Sequence, residues 1–168
     1  MRAVVPRLFI CGAVLAALAA CGSSASTIGP LRIEPPDGWL VVDRALGTIK
    51  VANGTIGADT TRGNATAVFD VYIDSGQSIR EFRAVLEENN VRYSEEDLEV
   101  DGYDATVVTY RRSAFAPSGE TAFIPEWDVR IVYRAAYGDA EAAFSRHQPE
   151  FRQALASITF EGRPPARL

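Results

Sequence analysis

Two stretches of apolar alternation limit the folds open to this chain. Ala67, Phe69, Val71 and Ile73 fall on one side of a run whose other side carries Asp70 and Asp74. Further on, Trp127, Val129, Ile131, Tyr133 and Ala135 share a side opposite Asp128, Arg130, Val132 and Arg134. A period of two is the mark of a strand with one buried face, so both runs predict long strands, the second of them central in a half-solvated sheet. A helix is expected directly after the first. Ser78-Ile79-Arg80-Glu81 matches a capping box, in which the serine hydroxyl and the glutamate carboxylate satisfy backbone amides at a helix start. Ile79, Phe82 and Leu86 then recur at helical spacing and turn one face to the sheet, until Asn89-Asn90 ends the helix.

The remaining segments fill in an α+β pattern. Leu31-Arg32-Ile33 starts the domain, and Pro35-Pro36-Asp37-Gly38 marks a turn. Trp39–Val42 and Thr48–Val51 look like paired strands, and Asn53–Asn64 reads as an exposed loop. Asp101-Gly102 between Glu95–Val100 and Tyr103–Arg112 is a strong hairpin signal, because both residues tolerate the positive φ of a type I′ turn. Phe115–Pro125 reads as a loop with an unusual apolar load, in which Phe115, Phe123 and Ile124 are either a lid over the sheet or an exposed patch for a partner. Proline is tolerated in the first turn of a helix but not inside it, so Pro149 predicts two short helices, Ala140–Arg146 and Pro149–Ser157. The second would bury Phe151, Leu155 and Ile158. Trp39, Phe69, Trp127, Ile131, Phe151 and Leu155 are the candidate core, and Ile158-Thr159-Phe160 a closing short strand.

At the other end, Leu18-Ala19-Ala20-Cys21 sets the expected location. Arg2 and Arg7 form a basic start, Leu8–Ala20 is an apolar run too short to span a bilayer, and Gly22–Thr27 is small and polar without stop-transfer charges. A cysteine after two small residues at this point reads as a bacterial lipoprotein processing site. Residues 1–20 are then a lipoprotein signal peptide, and Cys21 takes a thioether-linked diacylglycerol with a further acyl chain (palmitate or similar) on its amine. Two or three such chains hold a protein on a membrane durably. Residues 21–30 are read as a flexible tether, 31–160 as one globular domain and 161–168 as a loose tail. The mature protein would face the periplasm or the exterior from the cell membrane or outer membrane.

Cleavage leaves 148 of 168 residues and removes two basic residues and no acid, taking the formal charge from −5 to −7. That balance disfavours nucleic acid as a partner. Cys11 goes with the leader and Cys21 with the lipid, so no disulfide is available and a single core must hold the domain.

Catalytic motifs are scarce. His147 is the only histidine, which excludes HExxH and other multi-histidine metal sites, and no Gly-x-Ser-x-Gly elbow accompanies it. Between two helices it would be solvated or capping. Gly54 and Gly57 lack the ending of a phosphate loop. Asp70, Asp104 and Asp128 could converge on one sheet face as acid/base groups, or pair across strands with Arg112, Arg130 and Arg134. Without acid partners those arginines would make a bidentate anion site. Glu95-Glu96-Asp97 could hold Ca²⁺, although an acidic run in a turn is usually solvated. No cofactor and no metal are expected.

Pro36-Asp37-Gly38-Trp39 and the order strand, acid-capped helix, Pro149-Glu150-Phe151 helix and final apolar strand resemble Mog1/PsbP-like domains, including lipoproteins of the LpqN type. The resemblance covers about Leu31 to Phe160. It implies an α/β/α sandwich around a mainly antiparallel sheet and a non-enzymatic binding or assembly role, with no functional residue to carry over. The leading expectation is thus a lipid-anchored, protein-binding interaction or assembly module of the cell envelope. A small-ligand or anion-binding lipoprotein and a carboxylate-dependent hydrolase are the alternatives. Cys21 is the lipidation site, and Phe115, Phe123, Ile124, Arg112, Arg130 and Arg134 are the candidate partner or ligand surface.

Overall fold

The computed structural model describes residues 25–45, 47–54, 65–111, 118–135 and 140–165. Cys21 and the leader, Arg112, Phe115 and the body of the expected 53–64 loop lie outside them. A three-stranded antiparallel sheet joins β1 (Ser26–Ile28), β2 (Leu31–Ile33) and β10 (Thr159–Phe160) in the order β1-β2-β10. Seven strands make the main sheet: β3 (Leu40–Ala45), β4 (Thr48–Ala52), β5 (Ala67–Ile73), β6 (Tyr93–Val100), β7 (Tyr103–Tyr110), β8 (Gly119–Ile124) and β9 (Val129–Ala135). Their order is β3-β4-β5-β9-β8-β7-β6, every pair antiparallel. Helix α1 (Ile79–Glu88) follows β5, and α2 (Ala140–Ala156) follows β9.

Alternation sends the side chains of β7 and β8 into two different cores. Phe69 and Val71 of β5, Ala122 and Ile124 of β8, and Ile131 and Tyr133 of β9 share one cluster with Trp39, Trp127 and, from α2, Phe144, Phe151 and Leu155. All six candidate core residues are in it. On the opposite side Val108, Tyr110 and Phe123 meet Leu86 of α1, with Ile79 and Phe82 packed against them. The capping box at Ser78 forms as expected, the hydroxyl accepting from Glu81 N at 3.2 Å while the Glu81 carboxylate accepts from Ser78 N at 2.8 Å. Asp101 and Gly102 turn the β6–β7 hairpin with φ of 51° and 82°.

Several expectations are corrected. Gly119–Ile124 is not loop but strand β8, all six residues buried. It runs inside the sheet between β9 and β7 with both faces covered, and such a strand has no alternation to betray it. Phe123 and Ile124 are therefore opposed core residues, neither a lid nor an exposed patch. Trp127 precedes β9 in a short 3₁₀ turn, Pro125–Trp127, and Asp128 ends that turn at φ 49° instead of standing on a strand. Glu95, Glu96 and Asp97 are in the edge strand β6, where charges discourage pairing with another sheet. β1 occupies three residues of the segment read as tether.

Helix α2 continues through Pro149. An interior proline costs about 3 kcal/mol and leaves the carbonyl four residues back, here Ser145, without its helical donor. Packing on both sides of the break offsets this. Phe144 and Phe151 both stack on Tyr133, with ring centres 5.3 and 5.0 Å away, and the Tyr133 hydroxyl donates to the Phe144 carbonyl at 2.8 Å. Burial, aided by Glu120 and Glu150, pushes the Tyr133 phenol well above its ordinary value, so it stays a donor.

Candidate functional site

After β5 the chain must reverse into α1, and it does so through Asp74 and Gly76, both left-handed with φ of 53° and 60°. Asp carries its short polar side chain there at modest cost, and glycine at none. Opposite stands the 3₁₀ turn before β9, closed by Asp128 N donating to Pro125 O at 3.0 Å. The two turns are tied where Ser75 N donates to the Asp128 carbonyl and Ser75 Oγ to Asp128 Oδ1, each at 3.3 Å. Between them opens a cleft of about 480 Å³. Ile79, Phe123, Pro125 and Val129 form its apolar wall, while Ser75, Gln77 and Asp128 supply polar groups. An apolar lining with a few directed polar atoms is the usual make-up of a small-molecule site.

Arg130 is bonded to one of the lining residues, Gln77, without lining the cleft itself. Its register partner on β8 is Phe123, its Nη1 donates to Gln77 Oε1, and its guanidinium lies 4.6 Å over the ring of Tyr72. Burial, with Asp70 beside it, raises the Tyr72 phenol against the lowering effect of Arg130 and Arg134. Further along the same face, Asp70 is 1% exposed between Arg134 Nη2 at 3.2 Å and Lys50 Nζ at 3.7 Å. The cross-strand pairing expected for the acids and arginines thus forms at Asp70 and Arg134. Asp70, Asp104 and Asp128 do not converge: Asp104 sits opposite Glu99 on the β6–β7 ribbon, and Asp128 is engaged with Ser75.

Two further polar clusters are structural. Glu120, wholly buried on β8, accepts from Arg152 Nε and Nη2 at 3.0 and 2.9 Å, Gln148 at 2.6 Å and Thr109 at 2.8 Å. Burial works against the Arg152 charge, but hydrogen bonds and charge from Glu120 and Glu96 outweigh it and raise its pKa. Glu120 was not a sequence candidate, since a carboxylate inside an unrecognised strand leaves no local signal.

His147, expected between helices, is instead inside α2 with a side chain 14% exposed. Asn53 Oδ1 accepts from the backbone of Thr66 and Ala67 at 2.9 and 3.1 Å, which turns Asn53 Nδ2 toward His147 Nε2 at 3.1 Å. Nε2 is therefore the acceptor, and Nδ1 donates to Glu150. Thr66 Oγ1 accepts from Asn53 Nδ2 at 2.9 Å and has its own proton left to donate to Nε2 at 3.3 Å. The cluster is a clasp holding the two ends of the β4–β5 connection to α2.

Of the candidate surface, then, Phe123 lines the cleft, and Arg130, its register partner, is bonded to the cleft's Gln77. Ile124 points into the opposite core, Arg134 is bound to Asp70, and Arg112, Phe115 and Cys21 lie outside the described residues. Ser75 and Gln77 were missed, although the Gly76 turn just ahead of the capping box marks the place. Among the described residues no group of three His, Cys, Asp or Glu could hold a metal ion, and no helix is long and apolar enough to cross a membrane.

No family model matches the chain, and no curated protein matches it. Solved structures do. The solution structure of cyanobacterial PsbP from Synechocystis sp. PCC 6803 aligns over 91% of this chain and 98% of that one, with a TM-score of 0.50 at 15% identity. A Pseudomonas aeruginosa protein of unknown function aligns over 84% and 98%, TM-score 0.43, 16% identity. A Bacteroides thetaiotaomicron protein aligns over 82% of this chain and 47% of its own, TM-score 0.36, 13% identity. At such identity the likeness to PsbP shows the fold alone, a mostly antiparallel α+β fold of PsbP type.

Proposed function

We propose that this chain is a non-enzymatic binding protein of the bacterial cell envelope, held to the membrane by lipid on Cys21, that takes a small ligand into the cleft between the β5–α1 turn and the 3₁₀ turn before β9. The cleft carries this reading: its volume of about 480 Å³ lies within the range of small-molecule pockets, and its wall is apolar with polar groups on one side. The cluster that comes closest to a catalytic relay, around His147, is committed to a clasp. An α/β/α layering, with α1 and α2 on opposite faces, and a kinship with LpqN-type lipoproteins are part of the same proposal.

Small-ligand binding is preferred to an assembly surface because, among the described residues, the large hydrophobic ones that stand exposed, Leu40 and Val85, are single residues on different elements and not a patch. Ligand-observed NMR with a fragment library provides the test. Hits should vanish in Ser75→Trp, whose indole fills the cleft, while the variant melts as a folded protein. Hits that persist in the filled variant, or an absence of hits on the wild type, would refute the proposal.

A further inference from the structure

Arg130 is a prepared cation without an acid to serve. The chain has 22 acidic residues against 17 basic ones, and the other half-buried arginines among the described residues find carboxylates, as does Arg134 on β9. Arg134 takes Asp70, Arg83 takes Glu95, and Arg152 takes Glu120 and Glu96. Among the described residues Arg130 pairs with none. Its guanidinium is nevertheless fixed twice, by the face of Tyr72 and by the side-chain carbonyl of Gln77, a residue of the cleft. Its Nε is buried with no acceptor. A planar fork held in one orientation is what bidentate recognition of an anionic oxygen pair requires.

From this geometry we infer that the ligand of the cleft is an organic carboxylate with an apolar body, its carboxylate on Arg130 and its body against Ile79, Phe123 and Pro125. The inference rests on the cleft being the binding site. A single cation suits a monoanion, whereas a phosphate dianion would meet the exposed carboxylate of Asp128, and the residues that line the cleft include no further cation. Asp128 is a weaker obstacle to one charge, since it is exposed and screened and its Oδ1 already accepts from Ser75.

Isothermal titration of the full chain with 4-phenylbutyrate, 4-phenylbutanol and 4-phenylbutyl phosphate separates the possibilities. The carboxylate should bind about tenfold or more tightly than the alcohol, as a charge-assisted bidentate contact allows. Arg130→Met should erase that advantage and leave the alcohol unchanged. Arg130→Lys, which keeps the charge and loses the fork, should fall between and guards against a folding defect in the first variant. Equal binding of alcohol and carboxylate, a tighter phosphate ester, or full carboxylate affinity in a folded Arg130→Met would overturn the carboxylate assignment while the cleft stands. If none of the three binds the wild type, both the assignment and the cleft fall.

Discussion

Arg152→Met tests whether the buried Glu120 depends on its cation. Glu120 is wholly inaccessible, and the substitution removes two hydrogen bonds of 3.0 and 2.9 Å together with the only positive charge bonded to it. Stranding a buried charge in this way costs about 3–5 kcal/mol. Because the Thr109 hydroxyl and the Gln148 amide remain at 2.8 and 2.6 Å, the lower end, about 3 kcal/mol, is expected here. A domain of this size loses about 2–4 °C of Tm per kcal/mol, so the melting point should drop by about 6–12 °C. Urea titration followed by far-UV circular dichroism gives the free energy directly. The decisive control is Glu120→Gln added to Arg152→Met: the amide keeps an acceptor for Thr109 and Gln148 but carries no charge, so it should recover most of the loss. A single variant that loses less than about 1 kcal/mol, or a double variant no more stable than the single, would show that the carboxylate was not held by Arg152.

Gly119→Ala should cost about 1–3 kcal/mol by overpacking, since a Cβ at Gly119 would stand 2.8 Å from the Tyr133 carbonyl oxygen and against the Tyr110 hydroxyl; equilibrium urea unfolding reads it. Ser78→Ala removes the hydroxyl half of the capping box and should cost about 1 kcal/mol, with backbone amide exchange rising at the start of α1. Tyr133→Phe should lose about 1 kcal/mol at neutral pH with its hydrogen bond to Phe144. Its raised phenol pKa makes wild-type stability full below the unfolded value near 10 and lost as pH climbs past it, so the alkaline fall should be shallower in the variant. Cys21→Ser should abolish labelling by radioactive palmitate, and undiminished labelling would remove the anchor from the proposal.

Where charged residues alternate with apolar ones, the fold was legible. β5 and β9 announced themselves because Asp70 and Arg134 alternate with Phe69, Ile131 and Tyr133, and α1 because Ser78 and Glu81 cap an apolar stripe. The Asp101-Gly102 turn was equally plain. What stayed hidden is set by contacts distant in sequence. β8 is buried on both faces, so Phe123 and Ile124, neighbours in the chain, serve opposite cores and looked like an apolar loop. Pro149 predicts the start of a second helix, because the rings of Phe144 and Phe151 converging on Tyr133 are invisible locally. The cleft is assembled from two turns some fifty positions apart, joined through Ser75 and Asp128 at |i−j| of 53, and neither turn alone has a binding motif. Arg130 was a candidate for anion binding, but its neighbours Gln77 and Tyr72 could be named only once the strands were in register.

β1 also sets the length of leash that an anchor at Cys21 would have. Ser26 is paired with Ile33 and so belongs to the folded body, leaving five residue steps back to Cys21. Fully stretched they reach about 18 Å, little more than the radius of gyration of a domain this size, about 15 Å. A body on so short a lead cannot roam the aqueous space above a bilayer. It would skim the headgroups with little freedom to swivel, and its cleft would meet only those molecules that travel in the thin layer of solvent next to the lipid.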